Sequence, residues 1–375
     1  MTFDPDILAR LPKVDLHCHL IGTVRASTFA ELARREGLAL PDTPERVYAD
    51  CNSLPPDPDL YRNTRIPVPQ GRSADEPEVS YSLFQLSGWV TDVLRDADDL
   101  TRIVYEAFED AHRASATRHL ELSIDEPHGR LERLGYPALI DAYAEGIRLA
   151  ERDFGMSGRL LAAIDRSHSG EEALAWVRTV VAHPHEYLAG IGLDNLETVG
   201  PPERFADAYR LAGEAGLGRT AHSSEHVPAA ANTLTCLDLL GCDRIDHGYF
   251  VLQDDAVVER LRAEQTPMTV ISTTSRRSWR PWRRASIKAM LDAGLNVIAA
   301  SDDPGMFPTT LGAEYRILAD DLGVPYARLR RMALAGVDAC WLPASEKAEL
   351  RARFERELAV LDAEVAAAGT SSSRA

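Results

Sequence analysis

The stretch KVDLHCHLIGT, Lys13 to Thr23, places two histidines one residue apart at the end of a short apolar run. In a β-strand, side chains at positions i and i+2 point to the same side, so His17 and His19 face the same space. Imidazole is a good ligand for transition metals, and two imidazoles that converge at a strand end could bind one ion together. The stretch therefore predicts a first strand that ends in part of a metal centre.

Short apolar runs with strand character alternate with longer helical patterns along the whole chain. The runs predict eight strands, at 13–18, 118–124, 158–165, 187–194, 218–222, 244–248, 267–272 and 296–301. Eight strands, each followed by a helix, predict a closed (β/α)8 TIM barrel, an α/β fold whose active site lies at the carboxyl ends of the strands. An open doubly wound sheet is the alternative, but it requires a glycine-rich loop after the first strand, and HCHLIGTVR is not one.

Three segments fall outside this repeat. Residues 40–80 are rich in Pro, Asp and Ser and predict an insertion or lid, and the small polar residues of 367–375 predict a disordered tail. Residues 326–368 predict amphipathic helices packed against the barrel. We therefore expect one barrel domain over residues 1–366, with an extra N-terminal insertion and C-terminal helices.

Composition restricts the classes of function. The formal net charge of −17 argues against broad attraction to nucleic acid or to anionic membranes. Five scattered cysteines without a Cys-x-x-Cys pair suit a reducing compartment. The N-terminus lacks a secretory signal, and no apolar run approaches the roughly 20 residues of a membrane span. These features predict a soluble cytoplasmic protein with a small-molecule partner, and they leave homo-oligomeric assembly open.

Polar residues also follow the later predicted strands. The fifth ends in TAHSSEH, the sixth in RIDHGY and the eighth in ASDDPGMF, which together supply His222, Glu225, His247, Asp302 and Asp303. Carboxylates after a buried apolar run are costly unless they are paired or bind a metal. Each residue alone fits a structural role, such as a helix N-cap or a core histidine, but together these roles require several coincidences at one rim. The pattern favours a metal centre.

In their order along the chain, these motifs resemble the adenosine deaminase family of the metal-dependent amidohydrolase superfamily. PKVDLHCHLIGT resembles the opening Pro-Lys-x-Glu-Leu-His-x-His-Leu-x-Gly of that family, TAHSSE its His-Ala-Gly-Glu motif and RIDHGY its Arg-Ile-Gly-His-Gly motif. GIGLD resembles the fourth-strand motif, and SDDPGMFPTTLGAEY resembles the Thr-Asp-Asp-Pro segment with its following helix. The resemblance extends from about Leu11 to the EKAELRARF helix.

Carried over residue by residue, the resemblance implies one Zn2+ ion per chain, with an open position for water and the four ligands His17, His19, His222 and Asp302. It implies that Glu225 protonates the ring nitrogen beside the reacting carbon, while His247 and Asp303 hold the attacking water. The implied reaction is hydrolytic deamination of an adenosine- or adenine-like 6-aminopurine to the 6-oxo product and ammonia. Relatives with two metals carry a lysine on the fourth strand, and GIGLDNLE has none, which favours a single metal.

The sequence departs from the family pattern in the residues expected around the substrate. Ile21 stands where adenosine deaminases have an aspartate, and Glu197 falls where a glycine that contacts the purine is usual. Ser224, the second Ser of HSSE, replaces a glycine that lets the backbone approach closely. We expect Ile21, Gly22, Asp194 and Glu197 to contact the substrate, and we interpret the changes as an altered substrate with the chemistry retained.

The segment Arg276 to Lys288, RRSWRPWRRASIK, carries six basic residues and no acid in an acidic protein. It begins at a predicted strand end, so Arg276 or Arg277 is expected to bind an anionic group of the substrate, such as a phosphate or carboxylate, which arginine geometry suits. The alternative is a surface segment that pairs with neighbouring acids.

Three functions remain open at this point. The first is a zinc-dependent aminohydrolase that acts on adenosine, adenine or a related 6-aminopurine. The second keeps the barrel and metal but acts on a different amino-heterocycle, an anionic adenine derivative, or an amide or ester. The third is a non-catalytic relative that binds a ligand, which would have lost a metal ligand or Glu225, and neither loss is seen.

Overall fold

Within residues 5–53, 57–125 and 128–372, which the computed structural model describes, nine strand segments pair in parallel. These segments are β1 (Lys13–His19), β2 (Thr117–Ile124), β3 (Ser157–Asp165), β4 (Leu188–Asp194), β5 (Gly218–Arg219), β6 (His222–Ser223), β7 (Ile245–His247), β8 (Met268–Val270) and β9 (Val297–Ala299). β1 to β5 pair in chain order, as do β6 to β9. Only residues 220 and 221 separate β5 from β6, so these two segments form one strand of the barrel.

The last strand meets the first. The backbone N–H of Asp302, just after β9, donates to the carbonyl of His17 (2.9 Å), and the N–H of His19 donates to the carbonyl of Asp302 (2.8 Å). The eight strands therefore close into the predicted (β/α)8 TIM barrel, and the open doubly wound alternative is excluded.

Helices surround the barrel and follow its strands. They are α1 (Pro5–Arg10), α2 (Ala26–Glu36), α3 (Pro44–Ala49), α4 (Leu83–Val93), α5 (Ala97–Ser115), α6 (His128–Leu134), α7 (Tyr136–Phe154), α8 (Gly170–Ala182), α9 (Ala206–Glu214), α10 (Ala231–Asp238), α11 (Asp255–Glu264), α12 (Arg280–Asp292), α13 (Leu311–Asp320), α14 (Tyr326–Ala339) and α15 (Ala344–Ser372). Local signals delimit the long ones: Asp96 and Asp99 form a capping box at the start of α5, and α7 ends at Gly155 with φ 60°.

The predicted insertion at 40–80 packs over the carboxyl ends of the strands. It contains α3, and the Tyr61 hydroxyl donates to the carbonyl of His226 (2.8 Å) at the rim of the barrel. The indole N–H of Trp282 donates to the carbonyl of Ile66 (3.2 Å). The insertion therefore forms part of the cover of this face, and its movement as a lid stays a prediction.

The chain ends in α14 and α15, in agreement with the predicted C-terminal helices. α15 continues to Ser372, so residues 367–372 of the predicted disordered tail have helical backbone, and 373–375 lie outside the described residues. The domain bounds 1–366 and 367–375 stay predictions. None of the helices in the described ranges combines the length and apolar character needed to cross a membrane.

Candidate active site

Four side chains at the carboxyl ends of barrel strands converge on one point. His17 and His19 end β1, His222 opens β6, and Asp302 follows β9. The Nε2 atoms of His17 and His19 are 3.3 Å apart, as are those of His19 and His222. Asp302 Oδ1 lies 3.4 Å from His17 Nε2 and 3.3 Å from His19 Nε2. The fold thus brings together the four predicted metal ligands.

The separations within this cluster suit a divalent transition metal. Four of the separations between donor atoms are 3.3–3.4 Å, a spacing that atoms bound to one zinc ion at its usual distance of about 2.0–2.1 Å can have. Burial acts to lower the pKa of His19, but Asp194 and Asp302 raise that pKa well above its usual value. The neighbouring carboxylates therefore favour positive charge at His19, and the four residues of the cluster can hold one metal ion.

The protonation of His17 is set by a hydrogen-bond relay beneath the cluster. The Thr269 hydroxyl donates to Asp246 Oδ1 (2.7 Å), and His17 Nδ1 lies 3.0 Å from the same hydroxyl oxygen. Because the hydroxyl donates its hydrogen bond to the carboxylate, its oxygen accepts a hydrogen bond from the N–H at His17 Nδ1. His17 Nε2 is then unprotonated and available to a metal.

Asp194 orients the other two imidazoles. Its carboxylate oxygens lie 3.2 Å from His19 Nδ1 and 3.4 Å from His222 Nδ1, and one of them accepts the Ser123 hydroxyl (2.9 Å). Burial acts to raise the pKa of Asp194, but the two imidazoles hold it well below its usual range. Asp194 was predicted to contact substrate. It lines the cavity, but its oxygens are directed at the ligand histidines.

The backbone is strained at four strand ends around the cluster. Asn195, Ser224, His247 and Asp302 have φ of 70°, 54°, 72° and 63°, the left-handed region that costs a non-glycine residue on the order of 1–3 kcal/mol. Ser224 stands where the resembling family has glycine, and its positive φ is the physical reason for glycine there. The strain accompanies the convergence of these strand-end side chains.

Glu225 lies beside the group of predicted metal ligands, and its carboxylate has three polar neighbours. One carboxylate oxygen accepts from the Arg283 guanidinium, and the other lies 3.0 Å from His226 Nδ1 and 3.5 Å from His247 Nε2. Burial raises the pKa of Glu225 above its usual value, although Arg283 lowers it. The carboxyl group can therefore hold a proton and donate it to a bound molecule.

His247 and Asp303 complete the group of titratable side chains. Burial and the charge of His17 lower the pKa of His247 well below its usual value, so that its imidazole is neutral and can accept a proton. Burial and the charge of Asp302 raise the pKa of Asp303 to about 8. Neutral imidazole and protonatable carboxyl groups in one place are typical of acid–base catalysis.

A cavity of about 570 Å³ opens above these residues, within the size range of small-molecule sites. Its walls combine the polar centre with apolar side chains, among them His19, His222, Asp302, Glu225, His247, Asp303, Leu83 and Phe307. Of the residues predicted to contact substrate, Ile21, Asp194 and Arg276 line this cavity. Gly22, Glu197 and Arg277 do not.

Gly22 has a packing role instead. A Cβ atom at this position would lie 2.0 Å from Asp303 Oδ1 and 2.6 Å from its Cα. Only glycine lets the β1 loop pass so close to Asp303, so Gly22 makes room for a cavity residue and does not itself reach the cavity.

Glu197 also differs from its predicted role, because the backbone uses its whole carboxylate. Its oxygens accept the N–H groups of Ser224 (2.6 Å), Glu225 (2.8 Å), His226 (2.7 Å) and Val227 (3.1 Å). Three of these N–H groups donate to Oε2 and one to Oε1, and the side chain is buried, so the carboxylate is directed at the backbone of this loop. Glu197 holds the loop that carries Glu225.

Arg277 forms hydrogen bonds with the insertion at 40–80 and does not line the cavity. Its guanidinium donates to the backbone carbonyls of Asp75 and Ala49, and its own N–H donates to Asn52 Oδ1. The partners are backbone carbonyls of the insertion, so this arginine fixes the cover over the barrel face.

Three residues near the centre were not predicted from the sequence. Asp246 lies under His17, and its position in RIDHGY, where the resembling motif has glycine, was a usable signal. His226 and Arg283 contact Glu225, and nothing in the pattern of the arginine-rich segment distinguishes Arg283 from its neighbours. Spatial proximity alone identifies these two.

The closed barrel and its three-histidine, one-aspartate cluster define a metal-dependent hydrolase of the amidohydrolase type. A family model described as adenosine deaminase matches residues 72–356. The chain therefore belongs to the adenosine deaminase family, as the motifs indicated.

Similar proteins cover nearly the whole chain. An adenine deaminase from Rhodospirillum rubrum is 32% identical over 94% of this chain and 99% of its own length. A zinc-bound amidohydrolase structure from Burkholderia ambifaria is 30% identical, covers 98% of this chain and 96% of its own, and gives a TM-score of 0.81. The adenine deaminase structure from Arthrobacter aurescens is 29% identical, covers 92% and 99%, and gives a TM-score of 0.76.

Proposed function

We propose that this protein is a zinc-dependent aminohydrolase that converts an adenine-like 6-aminopurine into the 6-oxo product and ammonia. The observation that carries the proposal is that a proton-donating carboxyl, Glu225, shares one cavity with a four-donor metal cluster and the neutral base His247. The adenine deaminases among the similar proteins support the purine substrate.

Zinc held by His17, His19, His222 and Asp302 supplies a Lewis acid that lowers the pKa of water toward about 7. His247 accepts one proton of the attacking water, and Asp303 fixes that water through a hydrogen bond. Glu225 donates its proton to the ring nitrogen next to the carbon that carries the amino group, which makes this carbon electrophilic.

Proton transfers by these residues complete the reaction. The proton on His247 passes to the leaving amino group, so that ammonia departs. The second water proton returns to Glu225 as the carbonyl forms. Each water proton is thus accounted for, and both residues regain their starting state.

The compartment and the partners belong to the same proposal. All five cysteines are free and buried, which supports a reducing compartment such as the cytoplasm. A small-molecule substrate without nucleic acid or membrane partners is consistent with the net charge of −17. Homo-oligomeric assembly stays open.

The test is an ammonia-release screen of the zinc-loaded protein against adenine, adenosine, adenosine monophosphate and an amino-substituted pterin. We expect turnover of at least one 6-aminopurine. The variant Glu225→Gln is expected to retain one zinc per chain and to lose on the order of 10²- to 10⁴-fold in kcat, because it removes only the proton donor. No ammonia from any aminopurine, or full activity of Glu225→Gln, would contradict the proposal.

A further inference from the structure

Arg276 is a buried cation without a counter-ion. Its side chain lines the same cavity as Glu225, and the residue is 5% exposed. Its Nη1 atom has no hydrogen-bond partner within the described ranges, and no carboxylate there lies within ion-pair distance of it. The guanidinium lies over the ring of Trp279, 4.9 Å from the centroid, which fixes its position.

Arg283, a second arginine in the wall of the cavity, has a carboxylate partner and so serves as a comparison for Arg276. Arg283 is also buried, but it donates to Glu225 and lies over the ring of Tyr249. Burial lowers the pKa of Arg276 to about 10; Glu225 acts to raise it and Arg283 to lower it. Of the two guanidinium groups, Arg283 contacts a carboxylate and Arg276 does not contact one within the described ranges, so the charge of Arg276 is the less compensated one.

The surroundings of Arg276 provide further hydrogen-bonding groups. The hydroxyls of Thr274, Ser275 and Ser53 line the same cavity, and the last two lie 3.2 Å apart. An arginine fork with hydroxyl groups nearby matches the oxygens of a carboxylate or phosphate. A desolvated cation is retained at a cost to stability unless a ligand neutralises it.

We propose that Arg276 binds an oxyanion, a carboxylate or a phosphate, that the substrate carries. The inference rests on the proposed deamination for its choice of ring, and it narrows the substrate class to amino-heterocycles with an acidic substituent. The cavity of about 570 Å³ supports it, since that volume suits a molecule larger than a bare base.

Binding to the zinc-loaded protein, measured by calorimetry, tests the oxyanion subsite without turnover. Inosine monophosphate against inosine isolates a phosphate, and hypoxanthine-9-acetic acid against 9-ethylhypoxanthine isolates a carboxylate. Inorganic phosphate and acetate at constant ionic strength probe the subsite alone. We expect at least one charged probe to bind on the order of 10- to 100-fold more tightly than its neutral counterpart, as a charge-assisted hydrogen bond provides, or a free oxyanion to bind, and the pair that responds identifies its source.

Three variants assign that preference. Arg276→Gln is expected to abolish it, Arg276→Lys to retain part of it, and Arg284→Gln to leave it unchanged, because Arg284 pairs with Asp321 on the outer face of α12. The ligand-free Arg276→Gln protein is expected to unfold at no lower a temperature than the parent, because an unpaired buried charge is removed.

Three outcomes would each overturn the subsite. The first is equal binding of every charged and neutral pair together with no response to free oxyanions. The second is a preference that survives in Arg276→Gln, and the third is a marked loss of stability in that variant. Oxyanion binding that depends on Arg276, without ammonia release from any aminopurine, would support the subsite and contradict the proposed deamination. Ammonia release from an aminopurine, without oxyanion binding that depends on Arg276, would support the proposed deamination and contradict the subsite.

Discussion

Two layers of buried polar residues lie inside the barrel, one below the other, and they differ in how their atoms are paired. In the lower layer, Glu121 accepts from Arg244 (2.5 Å) and from the backbone N–H of Trp341 (2.6 Å), and His119 lies between Glu121 (3.4 Å) and Ser157 (2.8 Å). Opposite charges are adjacent there, since the Arg244 guanidinium pairs with the Glu121 carboxylate.

In the upper layer, like groups face one another. The Nε2 atom of His19 lies 3.3 Å from that of His17 and 3.3 Å from that of His222, and Asp302 lies beside them. These three nitrogen atoms face one another, and a bound cation would give all of them a common partner. The contrast teaches that composition does not distinguish a structural cluster from a site, since both layers contain histidine and carboxylate. What distinguishes them is that like atoms, the three imidazole Nε2 atoms, face one another only in the upper of these two layers.

The largest expected effect comes from the upper layer. His19→Ala removes one donor of the cluster, so we expect loss of bound zinc and a fall in deaminase activity of at least about 10⁴-fold, since the metal supplies several kcal/mol of transition-state stabilisation. The metal-free variant is expected to unfold near the temperature of the metal-free parent. Metal analysis, ammonia assay and thermal unfolding check this, and a variant with full zinc content would refute the ligand assignment.

A substitution in the lower layer should have the opposite pattern. Glu121→Gln leaves Arg244 buried without a counter-ion, so the free energy of unfolding is expected to fall by about 3–5 kcal/mol, while zinc is retained. Glu214→Gln is the matched control, because Glu214 pairs with Arg210 on the surface (2.8 Å) and should cost less than about 1 kcal/mol. Denaturant unfolding measures both, and equal losses would remove the distinction between the layers.

Asp246 hydrogen-bonds to Thr269 beneath His17, and a substitution there tests whether Asp246 belongs to the site or to the structural layer. Asp246→Asn disturbs the relay through Thr269 that fixes the proton of His17, so zinc affinity is expected to fall on the order of 10- to 100-fold with the fold intact. Chelator competition measures the affinity. Asp243→Asn, three residues before Asp246 and exposed, is the control, and an unchanged affinity in Asp246→Asn would place Asp246 with the structural layer.

The parts predictable from sequence are those with a local signal. Strand periodicity and turn residues located all eight barrel strands, and alternation along β1 placed His17 and His19 on one side. The active site of a (β/α)8 barrel lies at the carboxyl ends of its strands, and this rule predicted that His222 and Asp302 lie near those two histidines. These inferences work because side-chain direction in a strand depends only on backbone geometry.

Roles in the substrate shell were harder to predict. Glu197, Gly22 and Arg277 were expected at the substrate, but they hold a loop, make room for Asp303 and secure the insertion. Each lies within a few residues of a cavity residue, and sequence distance does not say which of two neighbours points inward. Loop conformation decides that, and it depends on distant contacts.

The sequence by itself determined the barrel, the family and the identity of the four candidate metal ligands, because periodicity and strand-end position follow from local chain geometry. Only the tertiary structure decided that Arg283 donates a hydrogen bond to Glu225 while Arg276 has no carboxylate in contact within the described ranges. These two arginines lie seven positions apart and are chemically identical. Their difference arises from which carboxylate the folded chain brings within reach.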